Sequence, residues 1–162
     1  MNNTEISLLA QKAIEKLKNE NLTLGLAESC TGGLLSKLIT DVSGASAVYL
    51  GGICSYSNEV KINLLGVNKE TLDKFGAVSE QTAHEMADGA KKAIGSDIGI
   101  GITGIAGPLS DNTNKPVGLI YVSIKTPKKE KVIELKNSFT ENIREQNRLS
   151  AVKTALLLLL DE

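Results

Sequence analysis

The chain has 162 residues, enough for one domain whose apolar core needs neither disulfides nor a metal. It carries 18 Lys and Arg against 19 Asp and Glu, and its aromatic residues are two Phe, three Tyr and no Trp. This composition predicts no general attraction to nucleic acid or to a membrane, and two cysteines with one histidine are too few for a typical zinc site. We therefore expect a single domain over residues 1–162 with no metal, no nucleic-acid partner and no membrane partner.

The N-terminus, MNNTEISLLA, lacks the basic region and long apolar stretch of a secretory signal. No apolar run is long enough to span a membrane, and ALLLLL near the C-terminus is predicted to be either the buried end of a helix or a subunit contact. We expect a cytoplasmic protein in which Cys30 and Cys54 are reduced.

Helices and strands are predicted to alternate along the first two thirds of the chain. A helix over Glu5 to Glu20 precedes a strand over Leu22 to Ala27, and the helix that follows ESCTGG extends to Thr40. AVYLGGICSYS is predicted as the second strand, and its two glycines weaken it or mark a bulge.

Two short helices and a longer one are expected next. NEVKINLLGV is predicted as a helix ended by Gly66, and Lys69 to Phe75 as another ended by Gly76. Ser79 is predicted to cap the longer helix. The apolar residues of that helix recur with helical spacing at Ala83, Met86, Ala87, Ala90 and Ile94.

The last third is predicted to hold a strand, a hairpin and a closing helix. DIGIGI is a strand whose alternating glycines indicate close backbone approach on one face. After the loop TGIAGPLSDNTNKP, VGLIYVSIKT and EKVIELKNSF are predicted to form an antiparallel hairpin around PKK. Asn142 to Leu160 is the last helix, with Leu149, Val152, Leu156 and Leu159 inward. This order predicts a three-layer α/β/α sandwich with a mixed, mainly parallel sheet.

Three polar segments, ESCTGG, YSNEVK and TGIAGP, each follow directly on a predicted strand. In such sheets ligands bind outside the carboxyl ends of the strands. If these strands are parallel neighbours, the three segments meet at one edge and form the site.

The segment AESCTGG, residues 27–33, joins an acid, two hydroxyls, a thiol and two glycines at a strand-to-helix turn. Such a turn gathers free N–H groups and the positive end of a helix, and glycines let a ligand approach the backbone. We predict an oxyanion or phosphate nest over Thr31, Gly32 and Gly33, with Ser29 as the nucleophile. In the structural alternative, Thr31 only caps the helix and Ser29 bonds to the loop.

A nucleophilic serine needs a base. The one histidine, His84, shares a helix face with charged residues and is predicted to be solvated, which disfavours a Ser-His-Asp triad. Lys61 is the best candidate base, provided that burial lowers its pKa, and Tyr56 is predicted to hydrogen-bond either group. Taken alone, Lys61 would be a solvated lysine.

Cys30 is the alternative nucleophile, since thiols are intrinsically more reactive than hydroxyls. Neighbouring side chains on an extended segment point to opposite sides, so Ser29 and Cys30 are not both expected to face the pocket.

The segment GIGITG matches the dinucleotide fingerprint G-x-G-x-x-G, but its glycines lie within a strand and no acid follows about twenty residues later. Thr103 and Gly104 are predicted to line the pocket instead. Arg144 and Arg148, four residues apart, either form a solvated helix face or reach a substrate phosphate.

Several segments together resemble the CinA C-terminal domain family, which includes stand-alone nicotinamide-nucleotide amidohydrolases. They are AESCTGGLLSKLIT, SGAS, YSNEVKINLLGV, GAVSEQTAHEMADGA, GITGIAGP and KPVGLIYV, in order over nearly the whole chain. The resemblance is to the stand-alone form. It implies a fold similar to anticodon-binding domains and hydrolysis of the carboxamide of nicotinamide mononucleotide to nicotinate mononucleotide and ammonia. It implies no metal or other cofactor, and we expect a homodimer.

Carried onto this sequence, the resemblance implies Ser29 as nucleophile, Lys61 as its base and Tyr56 nearby. The substrate-binding residues it implies are Gly32, Gly33, Thr103, Gly104, Arg144 and Arg148. Two segments depart from the family: LSDNTN replaces a glycine-rich, acidic loop, and ENIR replaces GDR before the last helix, so that Arg144 aligns after a one-residue shift. Two other functions stay open, a non-catalytic pyridine-nucleotide-binding or regulatory module and a subunit-interaction domain using ALLLLL.

Overall fold

A computed structural model describes residues 3–161 of the chain, and all the predicted helices and strands are present in them. In chain order they are α1 (Asn3–Glu20), β1 (Leu24–Glu28), α2 (Leu34–Thr40), β2 (Tyr49–Cys54), α3 (Asn58–Leu65), α4 (Lys69–Phe75), α5 (Glu80–Ile94), β3 (Ile98–Gly104), β4 (Leu119–Lys125), β5 (Glu130–Lys136) and α6 (Ile143–Leu160). A short 3-10 turn at Ala45–Ala47 was not predicted. Within the described range, every helix is too short or too polar to cross a membrane.

The five strands form one mixed sheet in the order β2-β1-β3-β4-β5. β1 is central to its parallel part and pairs with β2 on one side and with β3 on the other. β4 and β5 add an antiparallel hairpin next to β3, as predicted. The carboxyl ends of β1, β2 and β3 therefore lie at the same edge of the sheet.

Helices cover both faces of this sheet, which confirms the three-layer sandwich. α1, α2 and α6 enclose the larger core with one face. α5 packs on the other face, and α3 and α4 pack against α5. The four α6 residues predicted to face inward, Leu149, Val152, Leu156 and Leu159, are all buried.

The glycines of β3 let α5 lie directly on the sheet. A Cβ added to Gly99 would be 2.0 Å from the carbonyl oxygen of Ala87, and one added to Gly101 would be 2.4 Å from that of Ala83. The predicted close approach on one face is confirmed, and these glycines serve helix packing.

The start of α2 is stabilised by Glu28, the last residue of β1. α2 follows Gly33, which has a φ of 92° and makes no side-chain capping bond. The buried Glu28 carboxylate accepts hydrogen bonds from the Leu35 N–H (3.0 Å), the Ser36 N–H (2.8 Å) and the Ser36 hydroxyl (2.7 Å). Glu28, and not Thr31, is therefore the cap, and its negative charge lies at the positive end of the helix.

Glu28→Gln removes this charge and replaces one acceptor oxygen with a donor. We expect the free energy of unfolding to fall by about 1–3 kcal/mol, because a buried N–H or hydroxyl loses its acceptor. Urea denaturation would measure this. Glu15→Gln, an exposed substitution on α1, is the control and should change it by less than about 0.5 kcal/mol. Equal effects of the two substitutions would contradict the capping role.

Candidate active site

Ser29 and Lys61 meet in a buried contact at the carboxyl edge of the sheet. Ser29 follows β1, and Lys61 lies in the first turn of α3, which begins after β2. The Lys61 ammonium nitrogen Nζ is 3.1 Å from the Ser29 Oγ and 2.7 Å from the Ser55 carbonyl oxygen. Lys61 is 1% exposed and Ser29 is 8% exposed. The structure thus brings together the predicted nucleophile and the predicted base.

Burial changes the acid–base behaviour of Lys61. It lowers the pKa of the ammonium group from 10.5 to about 8, because the charged form loses its hydration. At pH 7.5 roughly a quarter of the molecules then carry a neutral amine, against about 0.1% for an ordinary lysine. The neutral amine is able to accept the Ser29 proton, so the pair has the arrangement of a nucleophile and its general base.

Ser29 and Cys30 both contribute to the cavity wall, but the Cys30 side chain also packs in the buried core that α1, α2 and α6 enclose, so the expectation that only one of the two side chains faces the pocket stays a prediction. The alternation of side chains requires extended backbone, and the chain turns at this point: the Gly32 N–H donates to the Ser29 carbonyl oxygen at 3.1 Å. Burial raises the pKa of the Cys30 thiol to about 12. The thiol therefore stays protonated near neutral pH, which disfavours it as the nucleophile.

The cavity has a volume of about 290 Å³ and opens where the three parallel strands end. Ser29 follows β1, Tyr56 follows β2, and Thr103 is the residue before the last in β3. The three polar segments therefore meet at one edge, as predicted. The cavity is lined by Ser29, Cys30, Tyr56, Lys61, Ala77, Val78, Thr103, Gly104, Ile105, Ala106, Gly107, Leu109, Ser110, Asp111 and Arg144.

Thr103 and Gly104 contribute to the cavity wall mainly through their structural roles. The Thr103 hydroxyl donates to the Ala77 carbonyl oxygen at 2.7 Å and so fixes the segment before α5, which forms another part of the wall. A Cβ added to Gly104 would be 2.8 Å from the Leu119 carbonyl oxygen, so only glycine fits between β3 and β4 here.

Arg144 and Tyr56 bound the exposed side of the cavity. The Arg144 guanidinium donates to the Gly107 carbonyl oxygen at 2.8 Å and to the Tyr56 hydroxyl at 3.2 Å. Tyr56 is 67% exposed, and the hydrogen bond found for its hydroxyl is to Arg144 and not to Ser29 or Lys61. Arg144 thus presents a positive charge to a ligand that enters the cavity.

The other predicted substrate-binding residues, Thr31, Gly32, Gly33 and Arg148, do not line this cavity. The Arg148 guanidinium donates two hydrogen bonds to the Thr31 carbonyl oxygen, from Nε at 3.1 Å and from Nη2 at 2.5 Å. The Gly32 N–H is committed to Ser29, as described above. Within residues 3–161, the N–H groups of Cys30 and Thr31 donate to no carbonyl oxygen, and that of Cys30 contacts only its own thiol, so these two groups replace Gly32 as the candidate oxyanion donors.

Several contributors to the site were not predicted. Asn147 is buried on α6 and donates to the Ala106 carbonyl oxygen at 3.0 Å, which fixes the loop after β3. Ser55 acts through its carbonyl group, which has no signature in the sequence. Asp111 also lines the cavity. It is the acidic residue of the LSDNTN segment, and its charge is the one feature of the sequence that could have indicated this position.

The described residues contain no group of three or more His, Cys, Asp or Glu side chains arranged to hold a metal ion. His84 is partly exposed and lies 3.8 Å from the Glu130 carboxylate, in a different groove from Ser29. A Ser-His-Asp triad is therefore absent from this part of the structure.

Comparison with known proteins identifies the family. The model of the CinA C-terminal domain matches residues 6–162. The chain belongs to this family. A CinA-like protein from Kosmotoga olearia is 53% identical over 116 residues, which cover 72% of this chain and 28% of that protein. A CinA-like protein from Leptospira borgpetersenii is 48% identical over 145 residues, which cover 90% of this chain and 34% of that protein. This chain therefore spans about a third of the length of these relatives.

Solved structures of the family have the same fold. The competence/damage inducible protein CihA from Agrobacterium tumefaciens has a TM-score of 0.91 and 39% sequence identity, covering 96% of this chain and 94% of that one. A CinA superfamily protein from Escherichia coli has a TM-score of 0.89 and 29% identity, covering 99% of this chain and 93% of that one.

Lys61→Met offers a test of the lowered pKa that needs no substrate. Between pH 8 and 10.5 the unfolded wild type binds more protons than the folded one, so its stability rises with pH, by about 3 kcal/mol in total. The variant lacks this gain. We expect the free energy of unfolding of Lys61→Met, relative to wild type, to fall by about 3 kcal/mol over this range.

Urea denaturation at several pH values would measure the difference. Leu65→Met, one turn later on the buried face of α3, adds no titrating group and should differ from wild type by a constant amount. A constant difference for Lys61→Met as well would contradict the lowered pKa.

Proposed function

We propose that this protein hydrolyses the carboxamide of nicotinamide mononucleotide to nicotinate mononucleotide and ammonia, with Ser29 as nucleophile and Lys61 as base. The observation that carries the proposal is the buried Ser29–Lys61 contact, in which the amine has a pKa of about 8. Membership of the CinA C-terminal domain family, which includes amidohydrolases, supports the same reaction class.

The cavity suits a small amide with an anionic group at one end. Its volume of about 290 Å³ lies just below the range of about 300–1,000 Å³ that is typical of small-molecule sites. With the carboxamide carbon at the buried Ser29, the rest of the substrate extends toward the exposed side. There the Arg144 guanidinium is the cavity's candidate partner for the phosphate.

In the first half of the proposed reaction, the neutral Lys61 amine takes the Ser29 proton while Oγ bonds to the amide carbon. The carbonyl oxygen gains a negative charge, which the N–H groups of Cys30 and Thr31 stabilise; one such donor is typically worth about 3 kcal/mol. Lys61 then returns the proton to the amide nitrogen, the C–N bond breaks, and ammonia leaves. The product of this half is an ester of Ser29.

In the second half, water attacks the ester carbon and gives a proton to Lys61. The bond to the Ser29 Oγ breaks as that oxygen takes the proton back, and nicotinate mononucleotide is released. No metal ion enters this scheme. A homodimer and a cytoplasmic location stay part of the proposal.

Ammonia release from nicotinamide mononucleotide, with no added metal, tests the assignment of the nucleophile. Wild type and Cys30→Ala should turn over, whereas Ser29→Ala and Lys61→Met should lose about 10³-fold or more in kcat, because the two residues act as a unit. Loss of activity in Cys30→Ala with activity retained in Ser29→Ala would overturn the assignment to serine.

A non-catalytic pyridine-nucleotide-binding or regulatory module is the alternative function. It would use the cavity and Arg144 but would not need a neutral Lys61. Calorimetric binding of nicotinamide mononucleotide by wild type without any ammonia release would favour it. The third candidate, a subunit-interaction domain using ALLLLL, has little support, because Leu156, Leu158 and Leu159 are buried within the chain.

A further inference from the structure

Arg144 and Arg148 lie one turn apart on α6 but contact different parts of the site. Arg144 lines the cavity, whereas Arg148 lies behind the turn that carries Ser29. Both Arg148 hydrogen bonds go to one backbone atom, the Thr31 carbonyl oxygen. A guanidinium with two donors on one carbonyl oxygen fixes the orientation of that peptide group.

We propose that Arg148 is a positioning residue, which holds the Ser29–Gly33 turn in its reactive geometry through the Thr31 carbonyl group and does not bind substrate.

The part of the turn after Ser29 is conformationally permissive. Gly32 and Gly33 have φ values of 59° and 92°, a region in which glycine is unrestricted. Inside the turn, the Gly32 N–H donates to Ser29 and the Leu34 N–H donates to the Thr31 carbonyl, both at 3.1 Å. The Thr31 hydroxyl oxygen is buried and has no partner among the described residues. From outside the turn, Ser29 is held by Lys61 and by the Ile102 carbonyl oxygen, and Arg148 is the side chain that holds the Thr31 peptide group.

Fixing this peptide matters for the reaction because Thr31 is two residues from Ser29. The N–H groups proposed to stabilise the oxyanion, those of Cys30 and Thr31, belong to the same turn. The charge of Arg148 also acts here, since it favours the anionic form of the neighbouring Cys30 thiol. A negative charge that develops on the reacting carbonyl oxygen benefits from the same field.

A substrate-binding arginine and a positioning arginine affect kinetics differently. Loss of a phosphate contact raises KM, whereas loss of the turn geometry lowers kcat. Loss of the turn geometry also slows the reaction of Ser29 with a reagent that carries no phosphate. Phenylmethanesulfonyl fluoride is such a probe: the Ser29 Oγ bonds to sulfur, the S–F bond breaks, fluoride leaves, and the proton goes to Lys61.

The experiment compares the wild-type chain with Arg148→Met, Arg148→Lys and the control Lys153→Met. Lys153 is a half-buried α6 residue that pairs with Glu5 of α1 and does not line the cavity. Ammonia release gives kcat and KM, and intact-mass spectrometry with peptide mapping gives the rate of Ser29 sulfonylation. We expect Arg148→Met to lose about tenfold or more in both kcat and sulfonylation rate, with KM within about twofold of wild type. Arg148→Lys should recover part of both losses, and Lys153→Met should match wild type.

A raised KM with unchanged kcat and unchanged sulfonylation in Arg148→Met would overturn the proposal and assign Arg148 to the substrate. Unchanged values of all three quantities would overturn it as well. If Arg148→Met does not fold, as judged by circular dichroism, Arg148→Lys decides: a slower sulfonylation at unchanged melting temperature supports the proposal, and a wild-type rate overturns it. The inference rests on the proposed nucleophile but not on the substrate, because sulfonylation still tests it if wild type releases no ammonia from nicotinamide mononucleotide.

Discussion

The buried amine of Lys61 is the interaction on which the chemistry of this site depends. Taking an ammonium group out of water is costly, and among the described residues two oxygen atoms, from Ser29 and Ser55, are within hydrogen-bonding distance of it. The surrounding structure must therefore enforce the burial, and the amine responds with a lowered pKa. A lysine buried in this way contributes less to the stability of the fold than an apolar residue would at the same position. Such a loss of stability is typical of residues that serve chemistry.

The packing of α3 against α5 enforces this burial. Lys61 and Leu65 lie one turn apart on the inner face of α3, and both are buried. α3 approaches α5 closely because Gly89 has no side chain: a Cβ there would be 2.0 Å from the Leu65 carbonyl oxygen. Glu28 precedes Ser29, and its carboxylate binds the first turn of α2, which follows Gly33, so the two ends of the Ser29 turn are held together. The nucleophile and the base are thus fixed by separate elements that meet where β1 and β2 end.

The sequence patterns predicted the features that depend on local periodicity and on strand ends. Helical spacing located α5 and α6, alternation in DIGIGI located β3, and the polar segments after three strands predicted the edge at which Ser29, Lys61 and Thr103 meet. Contacts between a side chain and a distant backbone group were not predicted. Nearly every residue has a carbonyl group and an N–H group, so the sequence does not indicate which of them a side chain will bind. Glu28 on α2 and Arg148 on the Thr31 carbonyl are such contacts.

The titration of Lys61 is the most direct test of this account. In protein labelled with ¹³C at the lysine Cε, the Lys61 resonance would be assigned by its absence from Lys61→Met and followed from pH 6 to 11 by NMR. The account predicts a midpoint near pH 8, well below the ordinary value of 10.5. A midpoint above pH 10 would contradict it, since Lys61 would then be fully charged near neutral pH and unable to take the Ser29 proton.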